Sequence, residues 1–289
     1  MSISAKQVKA LRDRTGLGMM DCKVALQEAD GDLEQAIDAL RRKSALKAAK
    51  KASRTAAQGL LGLKVAADGK RAALVEVNIE TDFAARNPKF IDFVERVAAA
   101  ALETGAGGAQ LADAFAGERE ALVQEIGENI NVRRAESLSS EAGCIGSYLH
   151  NDARKGALVE LSIDDAELGR DLAMHITAHD PTPLVVRSAD LEPSVIAKER
   201  EILTAQAADS GKPPNIVEKI VEGRVRKFLA EVSLIDQAFI KDGELKVGKL
   251  LDSKSAEARR FARLEVGEGI AVAAEDFAAE VAAQAAGGS

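Results

Sequence analysis

The segment Lys70-Arg71-Ala72-Ala73-Leu74-Val75-Glu76-Val77 returns as Arg154-Lys155-Gly156-Ala157-Leu158-Val159-Glu160-Leu161, so the middle of the chain has to fold as two copies of one small unit. In each copy the β-branched and aliphatic run reads as a strand, over 72–79 in the first. A glycine-containing apolar segment precedes each copy, 59–65 and 143–149, and is the expected hairpin partner. An amphipathic helix follows each. The first opens on Asn87-Pro88, an N-cap and a first-turn proline, and carries Phe90, Phe93, Val94, Val97 and Ala101 at helical spacing. The second carries Leu168, Leu172, His175, Ile176 and His179. Residues 118–134 and 247–266 each read as a helix leading into a last strand, at 131–138 and 261–266. This pattern predicts an α+β fold of two related subdomains, each a small antiparallel sheet with helices on one face.

Before the repeats, residues 1–40 read as three short helices. Ser4 and Gln7 form a capping box ahead of Val8 and Leu11. A loop over 15–20 follows, and Asp21 is placed as the cap of a second helix with Val24, Ala25 and Leu26. Asp32 with Gln35 caps a third, carrying Leu33, Ala36, Ile37 and Leu40. The run 41–54 (RRKSALKAAKKASR) holds seven basic residues and no acidic one, and reads as a solvated helix or linker.

The second unit carries an insertion. Residues 193–209 are helical, 210–214 (SGKPP) are a break, and Asn215 with Glu218 is placed as a capping box. The following helix carries Ile216, Ile220, Val221, Val225, Phe228 and Leu229, completing an antiparallel helical hairpin. Its apolar stripe can pack internally or against another copy, which leaves a homodimer through the hairpin open. Residues 275–286 read as an Ala-rich helix. The expected organisation is therefore a helical bundle with basic linker at 1–55, core subdomains at 56–140 and 141–274 with the hairpin inserted at 190–232, and a helical module at 275–289.

A chain of 289 residues has room for two domains of ordinary size, and its 46% hydrophobic and 29% charged composition is that of a globular protein. No apolar run approaches the ~20 residues that cross a bilayer, so no membrane role is expected. The first residues lack the apolar block of a signal peptide. Cys22 and Cys144 form neither a metal-spaced pair nor a disulfide framework, which suits a reducing cytoplasm. The net charge of −7 argues against the whole molecule binding nucleic acid. The basic run has no aromatic residue on which bases would stack, so a solvated face is expected there rather than a nucleic-acid surface.

Motifs of catalysis fall short. The segment from Gly243 to Leu250 (GELKVGKL) is one residue short of a phosphate-binding loop and has Leu250 where a hydroxyl would hold Mg²⁺. It reads as a turn before a helix, and no direct nucleotide binding is expected. His175 and His179 stand four apart on one helix, but the glutamate of the zinc-protease motif and a third ligand are missing, and His150 is remote in sequence. A structural pair is expected, with no metal and no cofactor. No serine or cysteine lies in a nucleophile motif, and Asp164-Asp165 is explained by capping. Met19 and Met20, in a glycine-bounded stretch, suit either a binding surface or the small bundle's core.

One residue has no evident core to join. Phe83 lies in the polar connection between the 72–79 strand and the helix that opens at Asn87, and such connections lie on the surface and often carry function. The segments LRDRTGLGMMDCK (11–23), ETDFAARN (80–87), IGENINVRR (126–134) and FARLEVGEG (261–269) together resemble bacterial elongation factor Ts, in order and over essentially the whole chain. That family exchanges guanine nucleotide on elongation factor Tu, the GTPase that carries aminoacyl-tRNA to the ribosome. The resemblance implies a ubiquitin-associated-like N-terminal bundle, a two-part core, an inserted helical hairpin and a C-terminal helical module.

It also implies roles. Thr81, Asp82, Phe83 and Ala84 correspond to the segment that dislodges Mg²⁺ from the GTPase, with Asp82 and Phe83 pushing between two helices beside its nucleotide site. Position 84 holds alanine where the family usually carries valine. Arg12, Met19 and Met20 would touch the GTPase domain from the bundle. Ile126, Gly127 and His150 match further contact positions, and the C-terminal helix would dock on the same domain. The implied activity is nucleotide exchange without covalent chemistry.

Overall fold

The computed structural model describes residues 3–208 and 213–271. The expected C-terminal helix at 275–286 lies outside the described residues.

Three helices open the chain: α1 (Ala5–Thr15), α2 (Met19–Glu28) and α3 (Leu33–Lys51). The Ser4–Gln7 capping box forms, and Asp32 accepts a hydrogen bond from the Gln35 amide. Asp21 is not a cap. α2 begins two residues earlier behind Gly18, and Asp21 sits in its first turn, where it pairs with Lys43 of α3 at 3.1 Å. That bond holds the Asp21 carboxyl below its usual value. The small core of the bundle is Val8, Leu11, Leu17, Cys22, Ala25, Leu26, Ala36, Ile37 and Leu40.

α3 runs well past residue 40 and absorbs most of the basic stretch. One side of that stretch is not solvated: Ala48 is buried in the core of the first repeat, and Ser44 donates to Gln124 at 2.6 Å.

The first repeat is β1 (Gln58–Val65), β2 (Arg71–Ile79), a one-turn helix α4 (Asp82–Ala85), α5 (Pro88–Thr104), α6 (Gly108–Ala114), α7 (Ala116–Ile126) and β3 (Ile130–Ser139), with sheet order β1-β2-β3, antiparallel throughout. The second is β4 (Ile145–Leu149), β5 (Lys155–Leu161), α8 (Ala166–Ala178), the hairpin α9 (Pro193–Ala208) and α10 (Pro214–Val232), a two-stranded ribbon of β6 (Ala238–Phe239) and β7 (Asp242–Lys246), α11 (Val247–Ser253) and β8 (Ala258–Glu265), with sheet order β4-β5-β8. The last strand thus starts at Ala258, earlier than the 261 expected. The fold is α+β, as the repeat implies.

Helices cover one face of each sheet, and the other faces meet. Ala73, Val75, Val77 and Ile79 of β2 pack on Phe90, Phe93, Val94 and Val97 of α5. The alternate residues Ala72 and Leu74 pack with Leu158 of β5 and Leu264 of β8. Ala157, Val159 and Leu161 complete the pattern against Leu168, Leu172 and Ile176 of α8. The result is a helix–sheet–sheet–helix stack, in which the side-chain alternation of a strand serves two cores at once. α8 lies directly on β4, where a Cβ on Gly146 would stand 2.2 Å from the Gly169 backbone.

The hairpin's stripe packs internally: Leu203 and Ala207 of α9 bury with Val221 and Val225 of α10. Its second helix starts at Pro214 behind Pro213 with no side-chain cap, so the Asn215–Glu218 capping box does not form. Two prolines set the first turn instead, where missing amide protons cost nothing.

Candidate partner-binding site

β2 is buried along nearly its whole length, and the chain leaves the sheet at Glu80. Thr81 then adopts extended backbone angles and caps α4, its hydroxyl accepting from the Ala84 amide at 3.2 Å. Ala85 is buried and Ala84 half-buried against the α5 core. With the two alanines turned inward, the single turn points Phe83 outward, and its side chain is the most exposed large apolar one described, at 81%. Asp82 pairs with Arg86 at 3.0 Å across solvent, a contact of little energetic weight. The connection seen in the sequence is thus a capped helical turn rather than an irregular loop. Four residues are too few to show a helical period.

The turn is braced from the α7–β3 connection. Both the amide and the hydroxyl of Thr81 donate to the Glu128 carboxylate, at 2.9 and 2.8 Å. The amide of Asn129 donates to Glu80 at 2.6 Å, and the Asn129 side chain donates to the Arg54 carbonyl at 2.8 Å. Lys51, at the end of α3, donates to the Gly127 carbonyl. Ile126 is half-buried on the α5 core, and Gly127 ends α7 with φ 90°, a left-handed cap that favours glycine. The expected site residues Thr81, Asp82, Phe83, Ala84, Ile126 and Gly127 are therefore gathered at one place, and Glu128 joins the two segments.

His150 approaches from the second sheet. It is exposed in the β4–β5 turn, with its Nδ1 3.3 Å from the Tyr148 hydroxyl. The same turn bonds the first repeat: the Ala153 carbonyl accepts from Leu61, and Arg154 donates to Gln58, which pairs with Ile79 at the end of β2. Arg12, Met19 and Met20 lie on the bundle. Arg12 is exposed on α1, and the methionines occupy the first turn of α2 at 60% and 69% exposure. The methionines belong to the surface and not to the bundle's core.

The residues of catalytic appearance are otherwise employed. The His175 ring is buried: its Nδ1 accepts from the Ile240 amide at 3.1 Å, which leaves Nε2 to donate to Gln237 at 2.9 Å. Burial lowers its pKa to about 4. His179 is the C-cap of α8, bonded to the Pro181 carbonyl. Among the described residues no cluster of three or more His, Cys, Asp or Glu is placed to hold a metal ion. Gly243 lies in the β6–β7 ribbon and β7 runs straight into α11, so that segment is a strand entering a helix and not a turn before one. Asp165 caps α8 through the Leu168 amide, which lowers its pKa. None of the described helices is long and apolar enough to cross a membrane.

Glu80, Glu128 and Asn129 were not singled out from the sequence, although each lies in a segment that carries the resemblance. Their signal is their place beside Thr81 and Gly127, and it becomes readable only once β2 and β3 are paired.

The family model described as "Elongation factor TS" matches residues 80–268, from the exit of β2 to the turn after β8. This chain belongs to the elongation factor Ts family. Proteins named elongation factor Ts from Saccharophagus degradans and Hahella chejuensis are each 52% identical to it, over 99% and 98% of both chains respectively. One from Methylococcus capsulatus is 52% identical over 98% of this chain and 99% of its own. The elongation factor Ts assignment makes the chain a translation elongation factor.

Proposed function

We propose that the chain promotes release of GDP from elongation factor Tu by inserting Asp82 and Phe83 beside the nucleotide site and dislodging Mg²⁺, after which GTP rebinds. The observation that carries this reading is Phe83, 81% exposed at the tip of a turn braced by its own chain. An isolated exposed aromatic on a rigid mount is the form of an interface anchor. Burying it in a partner is worth ~2–3 kcal/mol. Asp82 brings a carboxylate towards a divalent cation held by oxygen ligands, and loss of that cation loosens the phosphates it bridges.

The activity needs no covalent step. It is linkage: a factor that binds the empty GTPase more tightly than the GDP form weakens GDP by the same ratio. Arg12, Met19 and Met20 from the bundle, and Ile126, Gly127 and His150 from the core, supply the surrounding contacts. In this reading the bundle (1–55), the two core units (56–140 and 141–274, with the hairpin 190–232) and the segment 275–289 grip one partner in the cytoplasm.

The test is capture of purified elongation factor Tu on the immobilised chain. Retention of nucleotide-free GTPase, and its elution by GDP with Mg²⁺, supports the reading. Equal retention of the GDP·Mg²⁺ form and the empty form contradicts it.

A further inference from the structure

We propose that Glu128 is a positioning residue for Phe83, acting through Thr81; the inference rests on the exchange reading above. Among the described residues the Phe83 ring is left largely uncovered, so its direction is inherited from the backbone of α4. A four-residue helix cannot hold its own shape, because its single turn bears the whole cost of nucleation. The shape has to be imposed at the cap.

The cap is Thr81, and Glu128 uses every polar group that Thr81 offers beyond the helix. A hydroxyl has one proton and two lone pairs. The Thr81 proton goes to Glu128 Oε1, which turns a lone pair towards the Ala84 amide, and the Thr81 amide goes to Glu128 Oε2. Glu128 is itself well anchored. It follows the left-handed cap at Gly127, and its neighbour Asn129 returns a bond to Glu80. Ile79 and Ile130 form the last backbone rung of the β2–β3 seam, so the three bonds that join residue 81 to 128 and residue 80 to 129 continue that seam in register through side chains. Glu128 thereby fixes before binding what a looser segment would have to order on binding, at a cost in conformational entropy.

A double-mutant cycle on the full chain tests this, with catalysed release of a fluorescent GDP analogue from elongation factor Tu as the readout and thermal unfolding as the control. Glu128→Ala is expected to slow release about three- to tenfold at subsaturating factor, the scale of losing one to two hydrogen bonds. In a Phe83→Ala background the same change is expected to cost less than about twofold, since contacts sharing one element are non-additive. Glu128→Gln, which keeps one acceptor oxygen, is expected to recover part of the rate and guards against a misfolded alanine variant. A loss of equal size in both backgrounds, or no loss in the native one, overturns the proposal. If Phe83→Ala alone leaves release unchanged, the exchange reading fails and takes the positioning role with it.

Discussion

Glu76 and Glu160 occupy equivalent positions in the repeated strand, and each holds an arginine that crosses to the opposite sheet. Arg134, opposite Glu76 in the register, binds its carboxylate at 2.5 Å and reaches on to the Glu265 carbonyl at the end of β8. Arg260, opposite Glu160, binds it at 2.8 Å and reaches on to the Ser139 carbonyl at the end of β3. The repeat thus encodes an exchange of arginines between the sheets as well as two strands.

The two carboxylates are not equal. Glu76 is fully buried and also accepts from Asn78, Arg133 and the Gly267 amide, whereas among the described residues Glu160 is held by Arg259 and Arg260. Removing one partner of a buried pair costs on the order of 3–5 kcal/mol. Glu76→Ala is expected to lose stability on that scale and Glu160→Ala less, as measured by urea midpoints. Burial pushes the Glu76 carboxyl up, but the Gly267 amide, Asn78 and Arg134 together outweigh it and leave the value below the usual one. A carboxyl depressed in the folded state contributes stability that is present above its unfolded value and is lost as pH falls through its folded value. That loss belongs below the ordinary glutamate range and is expected to vanish in Glu76→Ala.

His175 gives an acid response in a different window. Burial holds its folded pKa near 4, against 6.5 for an ordinary histidine, while the bond to Gln237 works in the opposite direction. Between those values the unfolded chain binds more protons, so stability is full above about pH 6.5 and declines as pH falls towards 4. A neutral replacement, His175→Gln, is expected to be less stable at pH 7.5 and to show a flatter dependence between pH 6.5 and 4. Unfolding free energies across that range check it.

The contact of α8 with β4 leaves no room for a side chain. Gly146→Ala sets a methyl group within 2.2 Å of the Gly169 backbone, which has to move as a whole because it is main chain. Overpacking of this kind costs about 1–3 kcal/mol or more. Gly223→Ala, at a described position with open space around it, is the control and is expected to be neutral or better, because alanine is the stronger helix former. Thermal unfolding separates the two.

Much of this architecture was legible because the repeat fixes strand, hairpin and helix together, each within a few residues of its neighbours. The meeting of the two sheets was not, since Leu74, Leu158 and Leu264 are far apart in the chain and one-sided helix cover already accounts for a strand pattern. Phe83 stood out for the same local reason that α4 did not: one apolar residue in a polar connection is visible, whereas a single turn has no period. The clamp from Glu128 to Thr81 spans 47 residues, and no spacing rule reaches that far. Met19 and Met20 were ambiguous in sequence because α2 begins at Met19 itself, and a helix start gives no face on which to place them.

Whether Phe83 drives exchange is read out most directly by stopped-flow release of a fluorescent GDP analogue from elongation factor Tu. Phe83→Ala removes a ring that is solvent-exposed among the described residues, so its unfolding midpoint should match that of the native protein. Catalysed release at subsaturating factor is expected to slow by about tenfold or more, the scale of a hot-spot anchor. An unchanged release rate from a properly folded Phe83→Ala protein would mean that Phe83 does not drive exchange.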